Sequence, residues 1–193
     1  MNADLDTKYM LDFQAGDKSA FQFLFSKYKK KIINFCYRFC GEHAIAEELA
    51  QEVFLKIYKA APNYRPEAKF STWIFRIATN VCLNELRKRR PLRQAESLDA
   101  APAPYSESVT REIKDDDQLH PQEILEARER DRFIKKALMA LPEKQRLALL
   151  LRINQGFSYQ EIGKQMKHSE NGVKTLIHRG RQNLKKALQA FME

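Results

Sequence analysis

A chain of 193 residues with 34 Lys/Arg against 25 Asp/Glu, a net charge of +9, has room for one domain or two small ones with a basic surface. No apolar run approaches the length of a membrane span, and the acidic, polar start MNADLDTKYM is unlike a signal peptide, so a cytoplasmic protein without membrane insertion is expected. Three cysteines, an odd number, argue against a secreted disulfide scaffold, and six glycines with few β-branched runs argue against a large sheet, leaving an all-α class.

The first helix is expected over residues 4–15, with Leu5, Tyr9 and Phe13 on one face. Gly16 stops it and Asp17 caps the next. The second runs over Lys18–Cys40. Its apolar set, Phe21, Leu24, Phe25, Tyr28, Ile32, Phe35, Cys36 and Phe39, repeats at spacings of three and four, and Gly41 ends it. The third covers His43–Ala60, with Ile45, Leu49, Val53 and Ile57 on one line and Glu47, Glu48, Gln51 and Glu52 outside. On residues alone that acidic face reads as ordinary solvated surface. Pro62 closes the helix, and residues 62–69 form a polar loop with an exposed aromatic, Tyr64.

The fourth helix, residues 70–90, is the most informative stretch. Ser71 can cap it, and Trp73, Ile74, Ile77 and Val81 form the core-facing stripe. Thr72, Arg76, Thr79, Asn80, Asn84 and Arg87 line the other face, and the block Arg87, Lys88, Arg89, Arg90 follows. Amides that can read base edges, then cations that neutralise phosphates, are what a nucleic acid requires. Pro91 is expected to break the helix.

Residues 93–121 read as a flexible acidic linker, with Pro102, Pro104 and the run Asp115, Asp116, Asp117. The charge distribution agrees. Residues 1–95 hold 17 Lys/Arg against 10 Asp/Glu, residues 96–131 hold 4 against 11, and residues 132–193 hold 13 against 4. Two basic modules, at 1–92 and 122–193, flank an acidic joint.

In the second module a helix over residues 122–139 carries Ile124, Phe133, Ile134, Ala137 and Leu138. Pro142 starts the next, which buries Leu147, Leu150 and Leu151 and ends near Gly156. Ser158 and Glu161 have the spacing of a capping box and open a short helix, Tyr159–Met166. Lys167 and His168 form a turn, and Ser169 caps a last helix over residues 170–191. Its inward line is Val173, Ile177, Gly180 and Leu184. Its open face carries Asn171, Lys174, Thr175 and His178, with Arg179 and Arg181 alongside. Cap, turn, cap and a basic second helix describe a helix-turn-helix whose second helix enters the major groove.

Residues 47–54 (EELAQEVF), 70–80 (FSTWIFRIATN) and 156–162 (GFSYQEI), with Val173-Lys174 and His178-Arg179, resemble the bacterial sigma factors, most closely the short extracytoplasmic-function group of the sigma-70 family. The resemblance spans nearly the whole chain except the linker. It implies a dissociable subunit of RNA polymerase that binds core, melts the minus-ten promoter element and binds the minus-thirty-five element. Glu47, Glu48, Gln51 and Glu52 would then dock on the clamp helices of the largest polymerase subunit, and the flap of core would be a further partner surface. Asn63 and Tyr64, in the loop 63–69, would cradle a base pulled from the stack. Arg76, Asn80 and Asn84 would face the separated strand or the upstream duplex edge, and Arg87, Lys88, Arg89 and Arg90 the phosphates. Ser169, Asn171, Lys174, Thr175, His178, Arg179 and Arg181 would bind the minus-thirty-five duplex. The resemblance also implies an anti-sigma factor as partner. Departures from the family pattern fall at Lys167 and His168, where relatives usually have a glycine and an aliphatic residue, and at Leu176, where they often have arginine.

Trp73 suggests a wedge for strand separation, but it shares a line with Ile77 and Val81 and reads as core. Cys36 and Cys40 sit one turn apart and read as packing residues; no partner spacing completes a zinc site. No cofactor, metal or catalytic constellation is expected. Two other readings remain at the level of residues. One is an operator-binding regulator, which would bind duplex tightly by itself. The other is a recombinase, which would need a nucleophile in an α/β domain that the pattern does not show.

Overall fold

The computed structural model describes residues 4–96 and 121–189, with side chains described at 4–88, 129–153 and 156–189. Among the described residues all regular structure is helical: α1 Leu5–Gln14, α2 Lys18–Cys40, α3 His43–Ala60, a 3-10 turn Ala61–Asn63, α4 Phe70–Glu96, α5 Pro121–Met139, α6 Glu143–Gln155, α7 Tyr159–Met166 and α8 Glu170–Gln189. None is long and apolar enough to cross a membrane. The chain divides into two compact units, built around α1–α4 and α5–α8.

In the first unit, α2 and α3 have the bounds that periodicity gives them. Asp17 accepts hydrogen bonds from Ser19 N (2.8 Å) and Ser19 Oγ (2.6 Å), which satisfies a free donor at the start of α2 and holds the Asp17 carboxyl below its ordinary pKa. At the other end Gly41 takes φ +82°, open to a residue without Cβ. Leu24, Tyr28, Ile32 and Phe35 of α2 are buried. They meet Leu49, Val53 and Ile57 of α3 and Phe70, Ile74, Phe75, Ala78 and Val81 of α4 in one core. Ring pairs join the helices: Tyr28–Phe70 and Phe35–Phe75, each with centroids 5.4 Å apart, and Phe25–Phe54 at 4.7 Å. Each fully buried phenylalanine contributes roughly 2 to 3 kcal/mol.

Several expectations change. The inward face of α1 is Asp6, Thr7 and Met10, and Leu5 is exposed. Asp6 is buried because its carboxylate accepts from Lys27 Nζ and, at 2.7 Å, from the Tyr28 hydroxyl, which sets the helix a quarter-turn from the apolar line. Burial and the Asp6 carboxylate push the Tyr28 hydroxyl pKa up. Tyr9 and Phe13 become a half-buried flank, Tyr9 stacked on Phe23 at 4.1 Å and Phe13 tilted against Phe21 at 4.7 Å. The fourth helix starts at Phe70, which is fully buried, so Ser71 lies inside the first turn and does not cap it. Thr79, placed outside by the pattern, is 0 % exposed and donates Oγ1 to the Phe75 carbonyl at 2.7 Å. A hydroxyl satisfied by its own helix is cheap to bury. Trp73 and Ile77 are half-buried, at the margin of a seam centred on Ile74 and Ala78.

The fourth helix also does not stop at Pro91. It runs to Glu96. Proline removes one N–H and crowds the Arg87 carbonyl, yet Leu92 to Glu96 are all good helix formers and carry the helix on. Of the expected linker, 93–96 are therefore helical, Pro121 begins α5, and 97–120 lie outside the described residues.

In the second unit Leu147, Leu149 and Leu151 of α6, Ile162 of α7 and Val173 and Ile177 of α8 form the core. Pro142 stands just before α6 rather than inside it, and Gly156 closes that helix at φ +66°. Phe133 and Ile134, expected inside, are 43 % and 40 % exposed, whereas Ala137 and Leu138 are buried. The Ile124 side chain lies outside the described residues.

Removing the acceptor that holds α1 should be costly. Asp6→Ala strands the buried Tyr28 hydroxyl and is expected to destabilise the first unit by about 2 kcal/mol, read as a lower urea midpoint. Lys27→Met should cost less than about 1 kcal/mol, because the Lys27 side chain is 37 % exposed and solvent screens the pair.

Candidate nucleic-acid interfaces

Two surfaces of the first unit bear on function. On α3, Glu47, Glu48 and Gln51 are exposed and Glu52 is half-exposed, pairing with Lys56 at 3.3 Å one turn on. Leu55 and Tyr58 continue this edge, 53 % and 50 % exposed. Sequence reasoning missed both. Their signal was available, since they fall off the line Leu49, Val53, Ile57 that carries the burial.

On α4 the buried seam fixes the phase of the helix, so Arg76, Asn80, Asn84, Arg87 and Lys88 emerge together on the open side. Arg87 Nη1 donates to Asn84 Oδ1 at 3.0 Å, linking an amide to the first cation of the basic block. The side chains of Arg89 and Arg90 lie outside the described residues.

The loop before α4 gives a correction. Asn63 is exposed, but Tyr64 is 4 % exposed and is not a free stacking surface. The 3-10 turn directs it inward, where its ring meets Trp73 at 4.8 Å and Phe70 at 6.3 Å. Burial pushes its hydroxyl pKa up; that hydroxyl meets no partner in hydrogen-bond geometry, although the Thr7 side chain acts on it. Residues 65–69, by contrast, are all exposed.

The helix-turn-helix of the second unit is built as its capping grammar implies. Ser158 N donates to Glu161 Oε2 (2.8 Å) and Glu161 N to Ser158 Oγ (3.2 Å), the reciprocal pair of a capping box. The turn is tight despite lacking a glycine. Lys167 itself adopts the left-handed conformation (φ 57°, ψ 45°), and His168 N donates to the Gly163 carbonyl at 3.0 Å. The glycine that permits this lies earlier: a Cβ on Gly163 would stand 2.7 Å from the His168 carbonyl oxygen. At Gly180 the neighbour is side chain rather than backbone: a Cβ there would meet Leu149 Cδ1 of α6 at 2.9 Å. Gly163 escaped sequence analysis because mid-helix glycine gives no sign of what approaches it.

Ser169 Oγ accepts from Gly172 N at 3.1 Å and caps α8. Asn171, Lys174, Thr175, His178, Arg179 and Arg181 are exposed on α8, as is Ser169 before it. Lys174 Nζ pairs with Glu170 at 2.8 Å and lies over the Tyr159 ring, and the Glu170 carboxylate holds its pKa above the ordinary lysine value. Of the two cysteines expected to pack, Cys36 is buried and Cys40 only half-buried; Cys82 is buried as well.

The Sigma-70 region 2 family model matches residues 24–91, and the Sigma-70, region 4 model matches residues 134–184. The chain is 35% identical over 188 residues to the ECF RNA polymerase sigma factor SigW of Bacillus subtilis, covering 94% of this chain and 96% of that one. It is 32% identical over 194 residues to the RNA polymerase sigma-H factor of Pseudomonas aeruginosa, covering 100% and 98%. Among solved structures it shares its fold with CnrH, solved in complex with the cytosolic domain of CnrY (TM-score 0.64, 19% identity, 97% of this chain and 99% of that one). The fold is likewise that of the sigma factor RpoE of Bartonella quintana (TM-score 0.64, 23% identity, 88% and 96%). The chain belongs to the extracytoplasmic-function group of sigma-70 RNA polymerase sigma factors. These are regulatory initiation factors whose regions 2 and 4 mediate promoter recognition and the start of transcription.

Gly163→Ala tests the turn geometry. In an ordinary helix the change gains up to about 1 kcal/mol. Here backbone stands where the methyl must go, and a net loss of about 1 to 3 kcal/mol is expected. Amide exchange should accelerate in α7 and α8 and stay unchanged in α2 and α3.

Proposed function

We propose a division of labour between the two units. Residues 1–92 bind polymerase core and open the minus-ten element, residues 122–193 hold the minus-thirty-five duplex, and the acidic segment 93–121 joins them. The observation that carries this reading is the α4 face. Arg76, Asn80, Asn84 and Arg87 stand open on one side while Ile74, Ala78 and Val81 are buried on the other.

Extracting a base from the stack costs a few kcal/mol, which a pocket can offset. With Tyr64 inside the core, that pocket falls to Asn63 and the exposed residues 65–69. The amides of Asn80 and Asn84 then face the separated strand, and Arg87 with the following basic residues neutralises its phosphates. Glu47, Glu48, Gln51 and Glu52 give core a carboxylate-rich helix that suits arginine partners. On α8, Asn171 and Lys174 lie where a recognition helix meets base edges, and Arg179 and Arg181 suit phosphates. Lys174 must exchange Glu170 for DNA to do so.

The protein acts in the cytoplasm and catalyses no reaction of its own. RpoE of Bartonella quintana is solved with the anti-sigma factor NepR; this chain is held in check by a partner of the same kind.

Three variants separate the roles. Glu48→Lys with Glu52→Lys should abolish co-purification with core while leaving the fold intact by circular dichroism. Asn80→Ala should lower open-complex formation about tenfold, seen as permanganate reactivity of unpaired thymines, with core affinity unchanged. Equal loss of both would refute the assignment. Arg181→Ala should weaken promoter binding across sequences and reduce the salt slope by about 1.

A further inference from the structure

The carboxamide of Gln14, the last residue of α1, gathers three backbone carbonyls. Its Nε2 donates to Ala61 at 3.0 Å, Pro62 at 2.9 Å and Tyr64 at 3.2 Å. An amide nitrogen carries two hydrogens, so one of them is shared between acceptors. The three carbonyls belong to the turn that immediately precedes the exposed loop 65–69. Gln14 lies outside the residues matched by the region 2 family model, 24–91.

The helix behind it is itself well anchored. Met10 is fully buried, Asp6 is held by Lys27 and Tyr28, and Tyr9 stacks on Phe23. Gly16 follows at φ +109°, and Gln14, itself exposed, reaches the three carbonyls from the end of this anchored helix. The turn is therefore held from two sides. From α1, Gln14 fixes its carbonyls. From α4, Phe70 and Trp73 hold the Tyr64 ring. Asn63, between those anchors, is left exposed.

We propose that Gln14 is a positioning residue for base discrimination at the minus-ten element: it orients the 61–64 turn so that Asn63 and the loop 65–69 meet the extracted base in one geometry. This rests on the assignment of that loop under the proposed function. A pocket discriminates only when its groups are held in place before the base arrives, because ordering them during binding spends the difference between right and wrong partners. Gln14 touches no DNA in this account. It acts through the turn.

The test uses full-length protein with polymerase core, on a promoter selected from a randomised library by the wild-type holoenzyme and on versions with each minus-ten base replaced. In Gln14→Leu the transcript ratio between selected and minus-ten-substituted templates should fall about tenfold, the scale of one or two lost hydrogen bonds. Core affinity and discrimination at the minus-thirty-five element should be unchanged, and amide exchange over 61–69 should accelerate while that in α2 does not. Unchanged minus-ten discrimination overturns the proposal. So does a parallel loss of core affinity and minus-thirty-five discrimination, which marks a general structural defect. Asn63→Ala is run alongside. If it loses discrimination and Gln14→Leu does not, the positioning role alone is wrong. If neither loses it, the loop does not read the base, and both the loop assignment and the positioning role fail.

Discussion

The buried seam of α4 sets the position of everything else on the open side of that helix in the first unit. Phe70, Ile74, Phe75, Ala78, Val81 and Cys82 are each at most 2 % exposed, and their spacing leaves the helix one azimuth against α2 and α3. Once that azimuth is fixed, the open side is fixed too. Arg76, Asn80, Asn84 and Arg87 need no further device to face outward together. Phe70 also supplies part of the floor on which Tyr64 rests, so the same seam sets where the preceding loop begins. Packing energy, large and non-directional, is thereby converted into the placement of a few polar groups whose own interactions are worth far less.

The second unit reaches an equivalent result by a different route. Its core is smaller, and precision comes from close backbone approach. Gly163 lets the turn of the helix-turn-helix come against α7, and Gly180 lets α8 lie close on Leu149. Asn183 Nδ2 donates to Gln145 Oε1 at 2.9 Å and adds a directional tie between α8 and α6. The placement of α8 is thus held by a methyl-sized tolerance against backbone at Gly163 and by side-chain packing at Gly180, while Asn171, Lys174, Thr175, His178, Arg179 and Arg181 are exposed.

The fold class, the bounds of α2, α3 and α7, the capping box and the exposed face of α8 were legible in the sequence, because each rests on local chemistry. Periodicity, caps and glycine stops act over a few residues. What escaped depended on contacts distant in the chain. The face of α1 turned because Asp6 found Lys27 and Tyr28, a polar burial that an apolar count cannot anticipate. Tyr64 reads as a loop aromatic until the rings of Phe70 and Trp73 are placed beneath it. Pro91 has the local signature of a stop, and the helix formers after it outweigh that signature. In the candidate site, the exposed amides and cations of α4 and α8 emerged as expected, whereas the role proposed for Gln14 rests on three carbonyls some fifty residues away.

The position of the open face of α4 in the initiating complex decides whether that face meets the minus-ten strand. A photocrosslinker introduced at Asn84, in complex with polymerase core and promoter, reads that position. Crosslinks to the single strand of the minus-ten element, absent when core is omitted, are the predicted result. Crosslinks confined to the minus-thirty-five duplex, or equal labelling of DNA without core, would contradict it.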